Sequence, residues 1–520
     1  MLPEKLTMGA LVETAAARWT NEIAIEDGDV RLTFAGLKAR ADQFSRALIA
    51  EGLEIGDRVG IWAPNSAEWE LAAIGAEQVG IAVVPLNTRF KGREAADILG
   101  RSGAKLLFSV TGFLGLDLPA LLADEPLPAL RRTVLLNRGD EGQAAFLAQG
   151  EAVSDAALAA RIAAVSPEDV IDILYTSGTT GRPKGVMSAH QQNIRTFEAW
   201  ANSVGLHEGD RYLIVNPYFH SFGYKAGCLA ALLRGATVLP VPVFDTGQIL
   251  QMIETKRISV LPGPPTIYQS LLDDPAHKTR DLSSLRLAVT GAASVPPSLI
   301  RRMHDELGIR DVLTAYGLTE TCGVVTATKA GDPPELVSAS CGLPIPGVSL
   351  RLVDPEGRDV PDGEPGELLV KGFNVMKGYL DDPKATAEAI DADGWLRTGD
   401  IAIRDEAGYL RITDRAKDMF ISGGFNCYPA EIEALILDHP AVARVAVTGV
   451  PDPRMGEVCR AWIVPKPGET IDEAEFIAWC RGHMANYKAP RSVRIVETLP
   501  MNAAGKVQRF LLKDEEEVAA

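Results

Sequence analysis

Cysteine is sparse in this sequence. Its 520 residues hold six, Cys228, Cys322, Cys341, Cys427, Cys459 and Cys480, and none of them forms a Cys-x-x-Cys pair. Neither a zinc site nor a disulfide framework is suggested, and a reducing cytoplasm is the expected compartment. Positive charge is short too: 52 Lys and Arg stand against 69 Asp and Glu, a formal net charge of −17. That balance argues against nonspecific nucleic-acid binding and against attraction to anionic lipid. Long apolar runs are also missing, since none approaches the ~18 residues of a membrane span. The opening Met1-Leu-Pro-Glu-Lys-Leu-Thr7 has no basic region leading into an apolar core, so neither export nor insertion is expected. No internal repeat or low-complexity tract is present. The length exceeds what one hydrophobic core usually serves, so two or more domains are expected.

Hydrophobic periodicity gives the fold class. Thr33 suits the N-cap of a helix in which Leu37, Ala41, Phe44 and Leu48 keep a 4-3-4 spacing, with Gly52 placed to end it. Arg58–Trp62 reads as a strand, Asn65 as the cap of a helix running to about Val79, and Gly80–Val84 as the next strand, which together make a βαβ unit. Short apolar strands recur at Arg211–Val215, Ala236–Pro240, Ile258–Leu261 and Leu285–Val289, separated by helical stretches. The class is α/β. After about Val337 turn-rich segments such as Val353-Asp-Pro-Glu-Gly357 and Val360-Pro-Asp-Gly-Glu364 predict a compact β region. Beyond Asp414-Arg-Ala-Lys-Asp418, a helix over Ala430–Leu437 and strands over Val442–Val447 and Arg460–Val464 predict a small α+β unit.

The segment richest in chemistry is Thr176-Ser-Gly-Thr-Thr-Gly-Arg-Pro-Lys-Gly185, delivered by an apolar strand over Val170–Tyr175. Gly178, Gly181 and Gly185 permit close backbone approach, Thr176, Ser177, Thr179 and Thr180 offer hydroxyls, and Lys184 brings a mobile cation. Such a loop suits phosphates. A Walker A loop ends in Gly-Lys-Ser/Thr, whereas Arg182-Pro183-Lys184-Gly185 stands here, so a P-loop NTPase is disfavoured. A flexible surface loop is the alternative use of this composition.

Behind this loop come Tyr316-Gly-Leu-Thr-Glu320, Thr398-Gly-Asp400, Asp414-Arg-Ala-Lys-Asp418 and Asn502-Ala-Ala-Gly-Lys506. With these five motifs in this order, the chain resembles the adenylate-forming acyl-CoA synthetase family over nearly its whole length. The resemblance implies a large N-terminal domain of βαβ subdomains plus a small β-barrel over residues 1–414, a hinge at 415–418 and a small mobile α+β C-terminal domain over 419–520. It also implies a reaction in two steps. A carboxylic acid and ATP give an acyl-adenylate and pyrophosphate, and the thiol of coenzyme A then gives the acyl-CoA and AMP.

Two anions must meet in the first step, so preorganised cations and donors are needed at the developing charge. By resemblance Thr176, Ser177, Gly178, Thr179, Thr180, Gly181 and Lys184 would hold the β- and γ-phosphates, Thr319 would touch the α-phosphate and Glu320 would bind Mg2+ as a hard oxygen ligand. Tyr316 would stack on adenine beside Gly291, Ala292, Ala293 and Gly317. Asp400 and Arg415 would read the ribose, and Lys506 would bridge carboxylate and α-phosphate. Lys417 would be the hinge residue. Ser422, Gly423 and Gly424 would line the path of the pantetheine arm.

His220, in Pro217-Tyr-Phe-His-Ser-Phe-Gly223, matches the family's gate segment near the reacting carboxylate, although a core histidine is the common alternative. The acyl pocket is expected around His220, Phe222, Tyr224, Lys225, Gly291 and Gly317, and along Gly263–Ser270. Tyr224 and Lys225 suggest an acid bearing oxygen functions, because a buried lysine without a partner is costly. This run resembles bacterial ligases that activate the propanoate of the indane-dione left from steroid-ring degradation. If Lys225 instead sends its head to water, an ordinary medium-chain or aromatic acid is the substrate. A carrier-protein-loading adenylation module, a light-emitting oxidative relative and an inactive nucleotide-binding regulator remain as rivals. The first is disfavoured because no carrier-protein domain follows Ala520, and the last by intact Glu320, Asp400, Arg415 and Lys506. The expected partners are the small-molecule acid, ATP and coenzyme A, with no nucleic acid; a homodimer stays open.

Overall fold

The computed structural model describes all residues except 1, 138–140, 177–182, 292–294, 416, 417, 419, 423, 424, 428, 453, 454, 485, 502–506, 510 and 513–520. The chain divides into two compact units. The first gathers Met1–Gly291, Val295–Ser349 and Val370–Leu396; the second holds Leu350–Leu369 and Arg397–Ala520.

Two sheets form the first unit. One has nine strands, ordered Leu343–Pro344, Thr326–Ala327, Asp311–Tyr316, Leu287–Gly291, Val260–Pro262, Arg211–Ile214, Thr237–Pro240, Ile23–Asp27 and Val30–Thr33. From Asp311–Tyr316 to Ile23–Asp27 the pairing is parallel, and at both ends it turns antiparallel. The other sheet has seven, ordered Gly378–Tyr379, Lys184–Ala189, Val170–Thr176, Ala82–Pro85, Arg58–Trp62, Leu106–Ser109 and Arg132–Leu135. Most of these strands are short, apolar and buried, as expected where helices cover a parallel sheet. The helix Phe34–Ala50 is capped by the Thr33 hydroxyl, which accepts from the Gly36 amide at 3.1 Å. Its periodic residues Leu37, Ala41, Phe44 and Leu48 are all buried, and Gly52 leaves it at φ 79°.

One expected cap is wrong. The helix Ala67–Glu77 is capped by Ser66, which accepts from the Trp69 amide at 3.2 Å. Asn65 instead joins the two sheets: its amide donates to the carbonyls of Ile214 (3.2 Å) and Asn216 (2.9 Å), and its Oδ1 accepts from the Tyr218 amide at 2.8 Å. Every residue of Ala67–Glu77 is buried, including Glu68, Glu70 and Glu77. Glu68 and Glu70 sit in the first turn, where the helix dipole favours negative charge.

The second unit carries a four-stranded half-barrel sheet, ordered Val348–Val353, Gly366–Gly372, Leu396–Arg404 and Leu410–Arg415. Its other sheet pairs Gly456–Pro465 with Phe420–Ser422, Val442–Asp452 and Ser492–Ile495, and Phe425–Cys427 pairs with Phe420–Ser422. The helices Pro429–Ile436 and Glu473–His483 supply Ile432, Ile436, Phe476 and Cys480 to a core shared with Phe420, Val445 and Cys459. All six cysteines are free, and among the described residues no helix is long and apolar enough to cross a membrane.

In the first unit, burial of the helix Ala67–Glu77 makes stability depend on pH. Desolvation raises the Glu70 carboxyl to about 8, although a hydrogen bond with Cys228 opposes it. A carboxyl whose folded pKa lies above its unfolded value binds its proton more tightly in the native state, so its contribution is full below about 4.5 and is lost as pH rises towards 8. The slope approaches about 1.4 kcal/mol per pH unit between those limits. Glu70→Gln should therefore flatten the fall of the urea midpoint between pH 5 and 8; a variant whose midpoint falls as steeply as that of the wild type would show that Glu70 is ionised in the folded protein.

Candidate active site

The strands Val170–Thr176 and Lys184–Ala189 form an antiparallel hairpin in which Thr176 stands directly opposite Lys184. Residues Ser177, Gly178, Thr179, Thr180 and Gly181 lie outside the described residues, but both ends of their loop are fixed. Arg101 lies 5.3 Å from the Tyr175 ring and donates to the Pro183 carbonyl at 2.6 Å. On the other side Gly378–Tyr379 pairs with the hairpin, Val186 opposite Tyr379 and Met187 opposite Gly378.

Tyr379 connects the expected phosphate-binding cation to the expected metal ligand. The Lys184 ammonium lies 4.8 Å from the centroid of its ring. Its hydroxyl donates to Glu320 Oε1 at 2.9 Å. Desolvation, and then the negative charge of Glu320, keep that phenol protonated well above its ordinary range. Sequence reasoning missed both Arg101 and Tyr379. Lys377-Gly378-Tyr379, a glycine between a cation and an aromatic, was the available signal.

Glu320 sits in a single 3-10 turn, Thr319–Thr321, and its carbonyl accepts from the Met376 amide at 2.8 Å. The turn closes through Thr321, whose hydroxyl accepts from the Leu318 amide at 3.0 Å. Cys322 follows with a left-handed φ of 53°, an uncommon conformation for a non-glycine residue. At Gly317 the chain passes so close to Gly323 that a β-carbon would overlap the Gly323 carbonyl. Tyr316 ends its strand half-buried, opposite Thr326, and Gly291 ends the neighbouring strand opposite Ala315. Ala292 and Ala293 lie outside the described residues.

The gate segment packs against this turn, because Ser221 occupies the side of Gly323 where a β-carbon would point. His220 caps the following turn through Nδ1, which accepts from the Phe222 amide at 3.2 Å. Its imidazole is open to solvent yet surrounded by protein atoms, and desolvation followed by the Lys225 charge lowers its pKa. This favours the uncharged imidazole. Phe222 is half-buried.

Tyr224 and Lys225 require a correction. Tyr224 is 3% exposed and packs edge-on against Trp69, with ring centroids 5.1 Å apart. Lys225 is 1% exposed, but its ammonium neither lacks a partner nor reaches water: it donates to Asp172 Oδ1 at 2.9 Å and to Ser188 Oγ at 3.0 Å. The oxygen functions expected of the acyl group are supplied to this lysine by the protein itself. Tyr268, in the other expected pocket segment, is likewise core, its hydroxyl donating to the Leu261 carbonyl at 2.6 Å.

Within the second unit, Asp400 and Arg415 pair in register on adjacent antiparallel strands. Asp400 is 4% exposed, and its amide donates to the Thr398 hydroxyl at 3.1 Å, which in turn donates to the Leu368 carbonyl at 2.7 Å. Ser422 is buried in the strand Phe420–Ser422. Lys417, Gly423, Gly424 and Lys506 lie outside the described residues.

Family models match both parts of the chain: the AMP-binding enzyme family over residues 12–380 and the AMP-binding enzyme C-terminal domain over 431–506. The chain belongs to the AMP-binding enzyme family. The chain is 51% identical over 516 residues to the 3-[(3aS,4S,7aS)-7a-methyl-1,5-dioxo-octahydro-1H-inden-4-yl]propanoyl:CoA ligase of Mycobacterium tuberculosis, covering 99% of this chain and 100% of the relative. It is 48% identical over 524 residues to the Rhodococcus jostii enzyme of the same name, with the same coverage. Among solved structures, the anthranilate CoA ligase AuaEII in complex with anthranoyl-AMP matches with a TM-score of 0.85 at 29% identity, covering 100% of this chain and 98% of that one. The ligase is thus an ATP-dependent acid–thiol ligase that works through an acyl-adenylate.

Among the described residues no group of three or more His, Cys, Asp or Glu could hold a metal ion. Glu320, joined to Lys184 through Tyr379, offers a carboxylate that suits a cation held by one protein carboxylate and the substrate's own phosphates. Tyr379→Phe should keep the fold but release Glu320, the expected metal ligand. With a net worth of roughly 1.5–3 kcal/mol for a hydrogen bond to a charged group, kcat/KM for ATP should change by about tenfold or more, with a shifted Mg2+ dependence. Steady-state kinetics at varied Mg2+ check this, and unchanged values would remove Tyr379 from the site.

Proposed function

We propose that this ligase activates the propanoate side chain of a bicyclic dione, forming its acyl-adenylate and then its coenzyme A thioester. The observation that carries the substrate is the 51% identity, across the full length of both chains, to a relative named for that acid. Lys225 no longer contributes to this reading, since its ammonium is held by Asp172.

In the first half-reaction Thr176, Lys184 and the intervening loop residues 177–181 hold the β- and γ-phosphates, while Thr319 meets the α-phosphate. Mg2+ on Glu320 supplies charge neutralisation for the phosphates when bound. Tyr316, Gly291, Ala292, Ala293 and Gly317 accept adenine, and Asp400 with Arg415 accepts the ribose, a role supported by their opposed position on adjacent strands. Lys506 brings carboxylate and α-phosphate together. His220, its pKa lowered by desolvation and the Lys225 charge, closes the acyl side with Phe222.

In the second half-reaction the C-terminal part, residues 419–520, turns about the hinge 415–418 at Lys417. This withdraws Lys506 and presents Ser422, Gly423 and Gly424 to the pantetheine arm. Two glycines in that run leave room for a thin thiol chain. A reducing cytoplasm suits the six free cysteines.

Thioester formation with the dioxo-indanyl propanoate, a medium-chain fatty acid and an aromatic acid tests the substrate. The dione should be preferred in kcat/KM by at least about tenfold, the order of discrimination that one or two specific contacts supply; a preference for the plain medium-chain acid would overturn the assignment. Lys506→Ala should abolish acyl-adenylate formation and leave thioester formation from pre-made acyl-adenylate largely intact. Equal loss of both half-reactions would remove Lys506 from its one-step role.

A further inference from the structure

The gate segment continues into a π-helix over Tyr224–Leu229, a wider turn that is rare and often found at functional sites. Every residue in it is buried. Lys225 lies on this turn, and its ammonium meets a polar cluster whose members come from elements distant in sequence. Asp172 accepts from Lys225 and from the Ser188 hydroxyl (2.7 Å) at Oδ1, and from the Asn193 amide (2.9 Å) at Oδ2. Ser188 also accepts from Lys225. Lys225 and Asp172 are each 1% exposed.

Asp172 and Ser188 are opposed partners in the hairpin that ends in Thr176 and Lys184. Side chains alternate along a strand, so Asp172 shares a face with Thr176, and Ser188 with Lys184. The Lys225 ammonium therefore grips the base of the hairpin on the face that presents the phosphate-binding pair. Five residues earlier in the chain is His220. A further carboxyl, Glu77, is fully buried nearby and has no hydrogen-bond partner among the described residues. Desolvation, and then the charge of Asp172, raise the Glu77 carboxyl well above its ordinary value.

We infer that Lys225 is a positioning residue for adenylation: its buried contacts with Asp172 and Ser188 fix the segment carrying His220 relative to the hairpin carrying Thr176 and Lys184. The inference rests on the proposed roles of those residues in holding acid and phosphates. A well-packed apolar pair in the same place would stabilise the fold at least as well, but it would not fix a direction as a lysine shared between two opposed side chains does. Each substrate has its own subsite. The constraint acts on the distance between them, and misplacement of reacting groups by about 1 Å costs on the order of a hundredfold in rate.

The test uses the full chain and whichever acid the wild type activates, so that a wrong substrate assignment appears in the wild type and is separate from the outcome for Lys225. Lys225→Met should lower kcat for adenylate formation by roughly 10- to 100-fold while changing KM for ATP and for the acid by less than about threefold. Thioester formation from pre-made acyl-adenylate should be nearly unchanged, because acid and nucleotide are then already joined. A merely structural role would lower both half-reactions together through the folded fraction. That result, or full adenylation by a folded variant, would overturn the inference. If Lys225→Met does not fold, Ser188→Ala keeps the ion pair and removes the hydroxyl's hydrogen bonds with Asp172, Lys225 and Asn193; it should slow adenylation alone by a few-fold, and equal slowing of both steps, or of neither, would overturn the inference.

Discussion

The antiparallel pairing of Val170–Thr176 with Lys184–Ala189 is the constraint on which the rest of the site depends. A loop of glycines and hydroxyls has no geometry of its own, because glycine adopts many backbone conformations at little cost. Its usefulness comes from what holds its two ends. Here the ends are set by opposition of Thr176 and Lys184, braced from one side by Arg101 and from the other by Gly378–Tyr379. Lys225 reaches the base of the same hairpin from beneath. The strands leading into the loop are fixed.

The same logic governs the turn around Glu320. A carboxylate on a one-turn 3-10 segment would be poorly fixed if the segment stood alone, since such turns have poor hydrogen-bond geometry. It is held by the Thr321 hydroxyl, by the Met376 amide and by close passage of Gly317 over Gly323. Ser221 leans on that glycine from the gate side. The segments of His220 and Glu320 are therefore neighbours through small side chains, which allow backbones to approach without filling the intervening space.

What was legible in the sequence is what local chemistry decides. The helix between Thr33 and Gly52 was readable because its cap, period and terminator all lie within it, and the short apolar strands were readable because burial on both faces leaves few polar residues. The choice between Asn65 and Ser66 was not: both are good capping residues, and the winner was decided by the carbonyls of Ile214 and Asn216, far away in the chain. Lys225 was misread for the same reason. Its partner Asp172 lies 53 residues earlier, within an apolar strand where a lone acid carries no sign of its mate. Tyr379 belongs to no motif of its own and takes its importance from strand pairing and from what lies on its two sides.

The burial of acids in the helix Ala67–Glu77 has a consequence for the charge of the molecule as a whole. The formal net charge of −17 counts every carboxyl as ionised, yet Glu70, raised to about 8, keeps its proton in most folded molecules at pH 7, and burial raises Glu77 well above its ordinary value too. In an electric field the native protein therefore migrates as a less acidic molecule than its formal charge indicates. On unfolding Glu70 meets water and ionises, so at pH 7 the chain releases a proton from this helix. Its heat of denaturation accordingly depends on the ionisation enthalpy of the buffer that receives it.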